Sequence, residues 1–143
     1  MITDAQMLNH IYQSTQMGRE SILSVLRHTE QYDFCQALQQ QMSEYEQIND
    51  QARKIMQNKG IDPEALSPLV KFNAQLVGSI KSGVNDSTSH IAEMMIQGNT
   101  KGVNESIKQL NDYKAADEEV RALAEKLLAT EKNNIEQMKG FLT

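Results

Sequence analysis

The sequence predicts an all-α protein, a bundle of four long amphipathic helices. Apolar and small residues recur in alternating steps of three and four along four long stretches, the spacing that gathers side chains onto one face of a helix. The 143 residues include only two prolines, no tryptophan and few aromatics. Hydrophobic residues at 39% and charged residues at 23% suit a helical bundle better than a sheet protein. A chain of this length fits one domain and buries about two-thirds of the surface its unfolded form exposes.

The first helix is expected over about residues 3–28. Thr3 followed by Gln6 forms a capping-box pattern, in which each side chain satisfies a backbone N–H at the other's position. Its stripe is Leu8, Ile11, Thr15, Gly18, Ile22 and Val25, widened by Met7 and Leu26. Thr29 is placed to cap a second helix over about 30–59, with Phe34, Leu38, Gln41, Tyr45, Ile48, Ala52 and Ile55 on one face. Lys59-Gly60-Ile61 then reads as a glycine stop followed by an apolar residue. So short a turn between the two helices makes them antiparallel neighbours.

Residues 60–85 read as a crossover, because Asp62-Pro63 and Ser67-Pro68 each set a capping residue before a proline at a first helical position. A short extra helix is expected from about Ser67 to Gly83, weakened by Gly78. Sixteen helical and eight extended residues reach roughly 50 Å, more than the roughly 40 Å of a long helix here. The third long helix, about 86–112, carries two stripes: Thr88, Ile91, Met95, Gly98 and Gly102, and a second of Ala92, Ile96, Val103, Ile107 and Leu110. So wide an apolar face calls for further cover, from the crossover or from a second copy of the chain. The fourth, about 116–142, starts with acids that complement its positive end and carries Val120, Leu123, Ala124, Leu127, Leu128, Ile135, Met138, Phe141 and Leu142.

A net charge of −5 with scattered basic residues argues against nucleic-acid binding, which relies on clustered Lys and Arg. Arg53-Lys54, the one adjacent basic pair, has Asp50 as a local counter-charge. Cys35 is alone, so one chain builds no disulfide or cysteine zinc site; a buried thiol is the reading. The start of the chain has no basic leader and nowhere do about 18 apolar residues run together. A cytoplasmic protein without membrane contact is expected.

Two local motifs in this plan, Glu44-Tyr45-Glu46-Gln47 in the second helix and Glu131-Lys132-Asn133-Asn134 in the fourth, resemble those of the ferritin-like superfamily, particularly its small bacterial members. The resemblance covers nearly the whole chain. Its metal-bearing members hold two iron or manganese ions with Glu-x-x-His in each of those helices and one Glu in each of the others. Here Gln47 and Asn134 stand at the histidine positions, and neither amide is a usual iron ligand. The resemblance therefore implies ancestry, with iron or manganese binding as the alternative to a metal-free bundle. A faint internal repeat sets Met17-Gly18 through Leu26 against Lys101-Gly102 through Leu110.

Helical phase decides which acids point inward. Glu131 lies within about 20° of the centre of its helix's stripe. Glu44 is at the edge of its own, Glu105 at the margin of the third helix's first stripe, and Glu20 on the far side of the first. His90 and Glu93 share a helix face as metal ligands can, but Gln97, Lys101, Asn104 and Lys108 continue that face as polar surface. His10 and His28 fall off their stripe and are expected to face solvent or pair locally. An inward Glu131 costs several kcal/mol if ionised and unpaired. Either it is neutral or satisfied by Tyr45, Gln41, Thr15 or a water, or it marks a small polar cavity beside Gly98 and Gly102 for a metal or ligand. Met42, Met56, Met94, Met95 and Met138 read as core fillers. No nucleophile triad or phosphate loop is visible. The function expected is therefore a non-catalytic structural or interaction module, self-associating through the third helix's second stripe. The alternatives are a degenerate metal or redox protein and a small-molecule binder around Glu131.

Overall fold

The computed structural model describes residues 1–64 and 87–143. Four α-helices account for most of them: α1 (Asp4–Leu26), α2 (Tyr32–Lys59), α3 (Thr88–Asp112) and α4 (Glu118–Lys139). The short crossover helix expected between Ser67 and Gly83 lies outside the described residues. The all-α four-helix architecture is the one that the periodicity predicts.

The helix ends follow local chemistry. Thr3 and Gln6 form the reciprocal capping box, and Gly60 closes α2 at φ 69°, a left-handed conformation that glycine adopts without steric cost. Ser87 and Asp117 cap α3 and α4 through His90 N–H and Val120 N–H. Several boundaries differ from expectation by two or three residues, two of them with a local cause. Gln31 rather than Thr29 caps α2, its side-chain oxygen accepting from Phe34 N–H, so the connection is longer by one half-turn. And α4 stops at Lys139, after which Phe141 turns back edge-on to Phe34 with ring centroids 5.0 Å apart.

α1 packs along α2 and α3 along α4; the hairpins meet chiefly through α4, which touches both α1 and α2, while α1 and α3 share a much shorter seam. One end of the bundle fixes the directions. The buried Tyr113, just past α3, donates its hydroxyl to Asp4 Oδ1 at 2.6 Å. Lys59 Nζ lies 2.6 Å from Asp117 Oδ2 and 3.6 Å from Asp4 Oδ2. Arg121 Nη2 donates to Tyr113 O at 2.6 Å, and Ile2 N–H to Asp112 O at 2.9 Å. The starts of α1 and α4 and the ends of α2 and α3 thus share this end. At the other end, Thr143 N–H donates to Ser89 Oγ at 3.0 Å. The chain therefore leaves α2 at one end of the bundle and enters α3 at the other.

The core is the sum of the four stripes. Every member of the α2 stripe, from Phe34 to Ile55, is buried, with Leu8, Ile11, Ile22 and Val25 from α1 and Val120, Leu123, Leu127 and Met138 from α4. The second stripe of α3 is only half covered: Ala92 is buried, Ile96, Val103 and Leu110 are half-buried, and Ile107 is 37% exposed. Cys35, expected inside, is half-buried.

Removing the hydroxyl that ties α3 to α1, by Tyr113→Phe, is expected to cost about 1–2 kcal/mol in urea unfolding with an unchanged denaturant slope. Arg53→Ala removes a surface pair with Asp50 whose side chains are both more than half exposed, and is expected to cost under about 0.5 kcal/mol. Equal effects of the two would remove Tyr113 from its place as the fastening of this end.

Candidate functional site

Where α1 and α3 draw apart the bundle opens into a cleft of about 790 Å³. Among the described residues, α1 gives it His10, Ser14, Met17 and Ser21, and α3 gives it Gly98, Asn99 and Gly102. Gln41 and Tyr45 of α2 and Glu131 of α4 also line it while being nearly fully buried, so they stand at its depth. Glu131 is 4% exposed.

Glu131 is seated against the backbone of α3. A Cβ at Gly102 would fall 1.9 Å from Oε2, so only glycine leaves room for the carboxyl there. One turn on, the buried Ser106 donates its hydroxyl to Glu131 Oε1 at 2.8 Å. On the far side of Ser106, its Oγ is 3.1 Å from His10 Nε2. Burial pushes the Glu131 carboxyl from 4.5 up to about 7, partly offset by the Ser106 bond. Burial also lowers the His10 pKa, against a smaller upward pull from Glu105. A carboxyl that binds protons more tightly and an imidazole that binds them less tightly are joined by a hydroxyl that both donates and accepts. One proton can therefore be held at Glu131, with Ser106 as the bridge to His10.

This is not a nucleophile triad. There the imidazole stands between hydroxyl and acid, whereas here the hydroxyl stands between imidazole and acid, and Ser106 is 2% exposed.

Beside this chain of groups, Tyr45 donates to Asn99 Oδ1 at 3.0 Å, and its ring lies so close to Gly18 that a Cβ there would meet it at 2.6 Å. Burial, with Glu131 nearby, pushes the Tyr45 phenol up and keeps it protonated. Gln41 Nε2 donates to Gln137 Oε1 at 2.7 Å, which leaves Gln41 Oε1 buried without a partner; Asn134 Nδ2, also buried, has the Tyr45 hydroxyl as its neighbour, without the geometry of a full hydrogen bond. Each unmet group of this kind costs about 1–3 kcal/mol.

The partner of Glu131 is none of the side chains expected from phase. Thr15 donates instead to Ile11 O at 2.8 Å and accepts from Asn49 at 2.9 Å, Gln41 is spent on Gln137 and Tyr45 on Asn99. The expectation that His10 faces solvent or pairs locally is also overturned, since its partner lies 96 positions away in sequence. Glu105 is exposed beside Lys108 at 3.6 Å, Glu44 is half-buried, Glu93 is exposed and His90 lies in the first turn of α3. Of the two amides at the histidine positions, Asn134 is buried and Gln47 is on the surface. Among the described residues, no three His, Cys, Asp or Glu side chains gather as a metal-ligand set. No described helix is long and apolar enough to cross a membrane.

The raised Glu131 pKa makes stability depend on pH. The folded state keeps the proton to about pH 7 and the unfolded chain releases it near pH 4.5, so this contribution is full below the lower value and is lost as pH rises through the upper. Glu131→Gln, which mimics the protonated acid, is expected to gain up to about 3 kcal/mol on the parent between about pH 5 and pH 8. Chemical denaturation at both pH values checks this; a parallel pH dependence in the two proteins contradicts a protonated, buried Glu131.

No protein-family model and no curated protein matches this sequence. Among solved structures, the chain is similar to a DUF305 fragment from Deinococcus radiodurans, with a TM-score of 0.76 at 17% identity, over 98% of this chain and 95% of that one. At that identity the likeness establishes a common four-helix bundle fold and nothing about chemistry.

Proposed function

We propose that this chain is a non-catalytic bundle of ferritin-like type that binds a small polar molecule in the cleft between α1 and α3. The observation that carries the reading is Gln41 Oε1, buried and unpartnered on a side chain that lines the cleft. A group left so is a cost to the fold that a ligand offsets. The volume, about 790 Å³, lies in the range of small-molecule sites, and a few convergent polar groups among apolar walls are their usual lining. The likeness to the DUF305 fragment supports the helical frame alone.

Self-association through α3 is the second reading, resting on Ile107 at the crest of the half-covered stripe. A single exposed apolar side chain is common on monomers, so this face gives weaker support than the cleft. A monomer by light scattering at micromolar concentration removes it.

Two measurements test cleft binding. Gln41→Leu keeps the volume and removes the unmet acceptor, so the free protein is expected to gain about 1 kcal/mol in urea unfolding; a loss larger than that shows Oε1 to be satisfied. In amide NMR titrations with small uncharged and charged fragments, binding is expected to shift Asn99 and Gly102. The shallow groove of Gln51, Ile55 and Lys126 on α2 and α4 is expected to stay unchanged. Fragments that shift neither, or both alike, sink the reading.

A further inference from the structure

The cleft-binding reading leaves the ligand's chemistry open, and the lining narrows it. At its depth the donors of the described side chains are already used: Ser106 on Glu131, Tyr45 on Asn99, and the Gln41 amide on Gln137. Of the deep side chains that line it, Glu131 and Gln41 keep acceptors, a carboxyl and the buried, unpartnered Oε1. Asn134, whose buried Nδ2 neighbours the Tyr45 hydroxyl, does not line the cleft. Nearby, Met17, Ile22 and Met95 supply an apolar wall.

Charge points the same way. From the described residues, Lys101 and Lys108 of α3 stand at the wall with Glu105 of α3 and Glu64 of the connection, two of each sign. On α1, His10 has a lowered pKa and is neutral near pH 7. On α2, Tyr45 stays protonated, with the half-buried Glu44 beside it. Among the described groups, ionised Glu131 is then the uncompensated charge at the depth of the cleft.

We propose that the cleft takes a primary alkylammonium ion, with its ammonium on the Glu131 carboxylate, Gln41 Oε1 as a second acceptor and its alkyl chain along Met17 and Met95. This rests on the cleft-binding reading above. An ammonium offers three donors and a positive charge, the complement of acceptors that lack both. Binding requires the carboxylate, so below the pH at which Glu131 ionises each ligand bound expels one proton to solvent.

The probe is n-butylammonium chloride, titrated into the full chain by NMR and by calorimetry in buffers of different ionisation heat. At about pH 8, saturable binding is expected, weakening about tenfold per pH unit below about 7 as one proton is released. 1-Butanol, which has the same chain and no charge, is expected to bind at least about thirtyfold more weakly, and Glu131→Gln to weaken the ammonium by a similar factor. Gly102→Ala, which keeps the carboxyl but drives a Cβ against it, is expected to act like Glu131→Gln on binding. Equal binding of the ammonium by parent and Glu131→Gln, or affinity independent of pH, overturns the proposal. If n-butylammonium fails while uncharged fragments still shift Asn99 and Gly102, the ligand class is wrong and the cleft reading stands. If no fragment shifts them, both fall.

Discussion

A carboxyl enclosed by four helices costs several kcal/mol unless its charge is removed or shared, and the groups around Glu131 are arranged to meet that cost. Gly102 gives up its side chain so that the carboxyl fits against α3. Ser106 gives it a hydrogen bond, and His10 extends that bond toward α1. Gly102, Ser106 and His10 add little apolar area to the core. An apolar side chain at the position of Glu131 would serve the periodicity as well and bury more apolar area. A bundle that keeps instead a protonated acid and an unmet Gln41 oxygen carries a cost to stability of the kind that functional sites impose.

The fold can bear it because its two ends and its seams are unequal. Tyr113, Asp4, Lys59 and Asp117 fasten one end across all four helices. Lys59, by its hydrogen bond, holds the Asp117 carboxyl below its ordinary range, so this fastening is kept through the pH range in which Glu131 titrates. Along α1 and α2, Asn49 donates both to Tyr12 O at 3.3 Å and to Thr15 Oγ1 at 2.9 Å. Between α1 and α3, away from the fastened end, the side-chain link among the described residues is His10–Ser106. The least fastened seam is therefore the one that opens, and the acid at its depth is the group whose protonation it exposes to solvent.

Helical stripes made the bundle legible in the sequence, because the step of three or four is set by helix geometry and every long helix obeys it. The inward phase of Glu131 was legible for the same reason. Its partner was not, since the third helix's first stripe after Gly102 continues by either three or four. A step of three gives Glu105, which is exposed, and a step of four gives Ser106, which is buried. His10 belongs to a second face of α1, with Ser14, Met17 and Ser21 one turn apart. That face is small and polar, and hydrophobic periodicity does not see it. One helix cap, Thr29, failed for a different reason: Thr29 and Gln31 are both competent acceptors, and the choice between them depends on where the chain turns.

The faint repeat between the hairpins gains a physical meaning from the two crowded glycines. In the first hairpin, Gly18 of α1 leaves space that the Tyr45 ring of α2 fills; in the second, Gly102 of α3 leaves space that the Glu131 carboxyl of α4 fills. The device is the same, a missing side chain on one helix seating a large one from the next, but its contents differ. An aromatic ring in such a seat completes a core, since it brings apolar area and one hydroxyl that Asn99 satisfies. A carboxyl in the matching seat cannot, because four lone-pair directions and a titrating proton exceed what one serine supplies. The first seat is thus closed by its occupant, and the second stays chemically open to the cleft that its own hairpin borders.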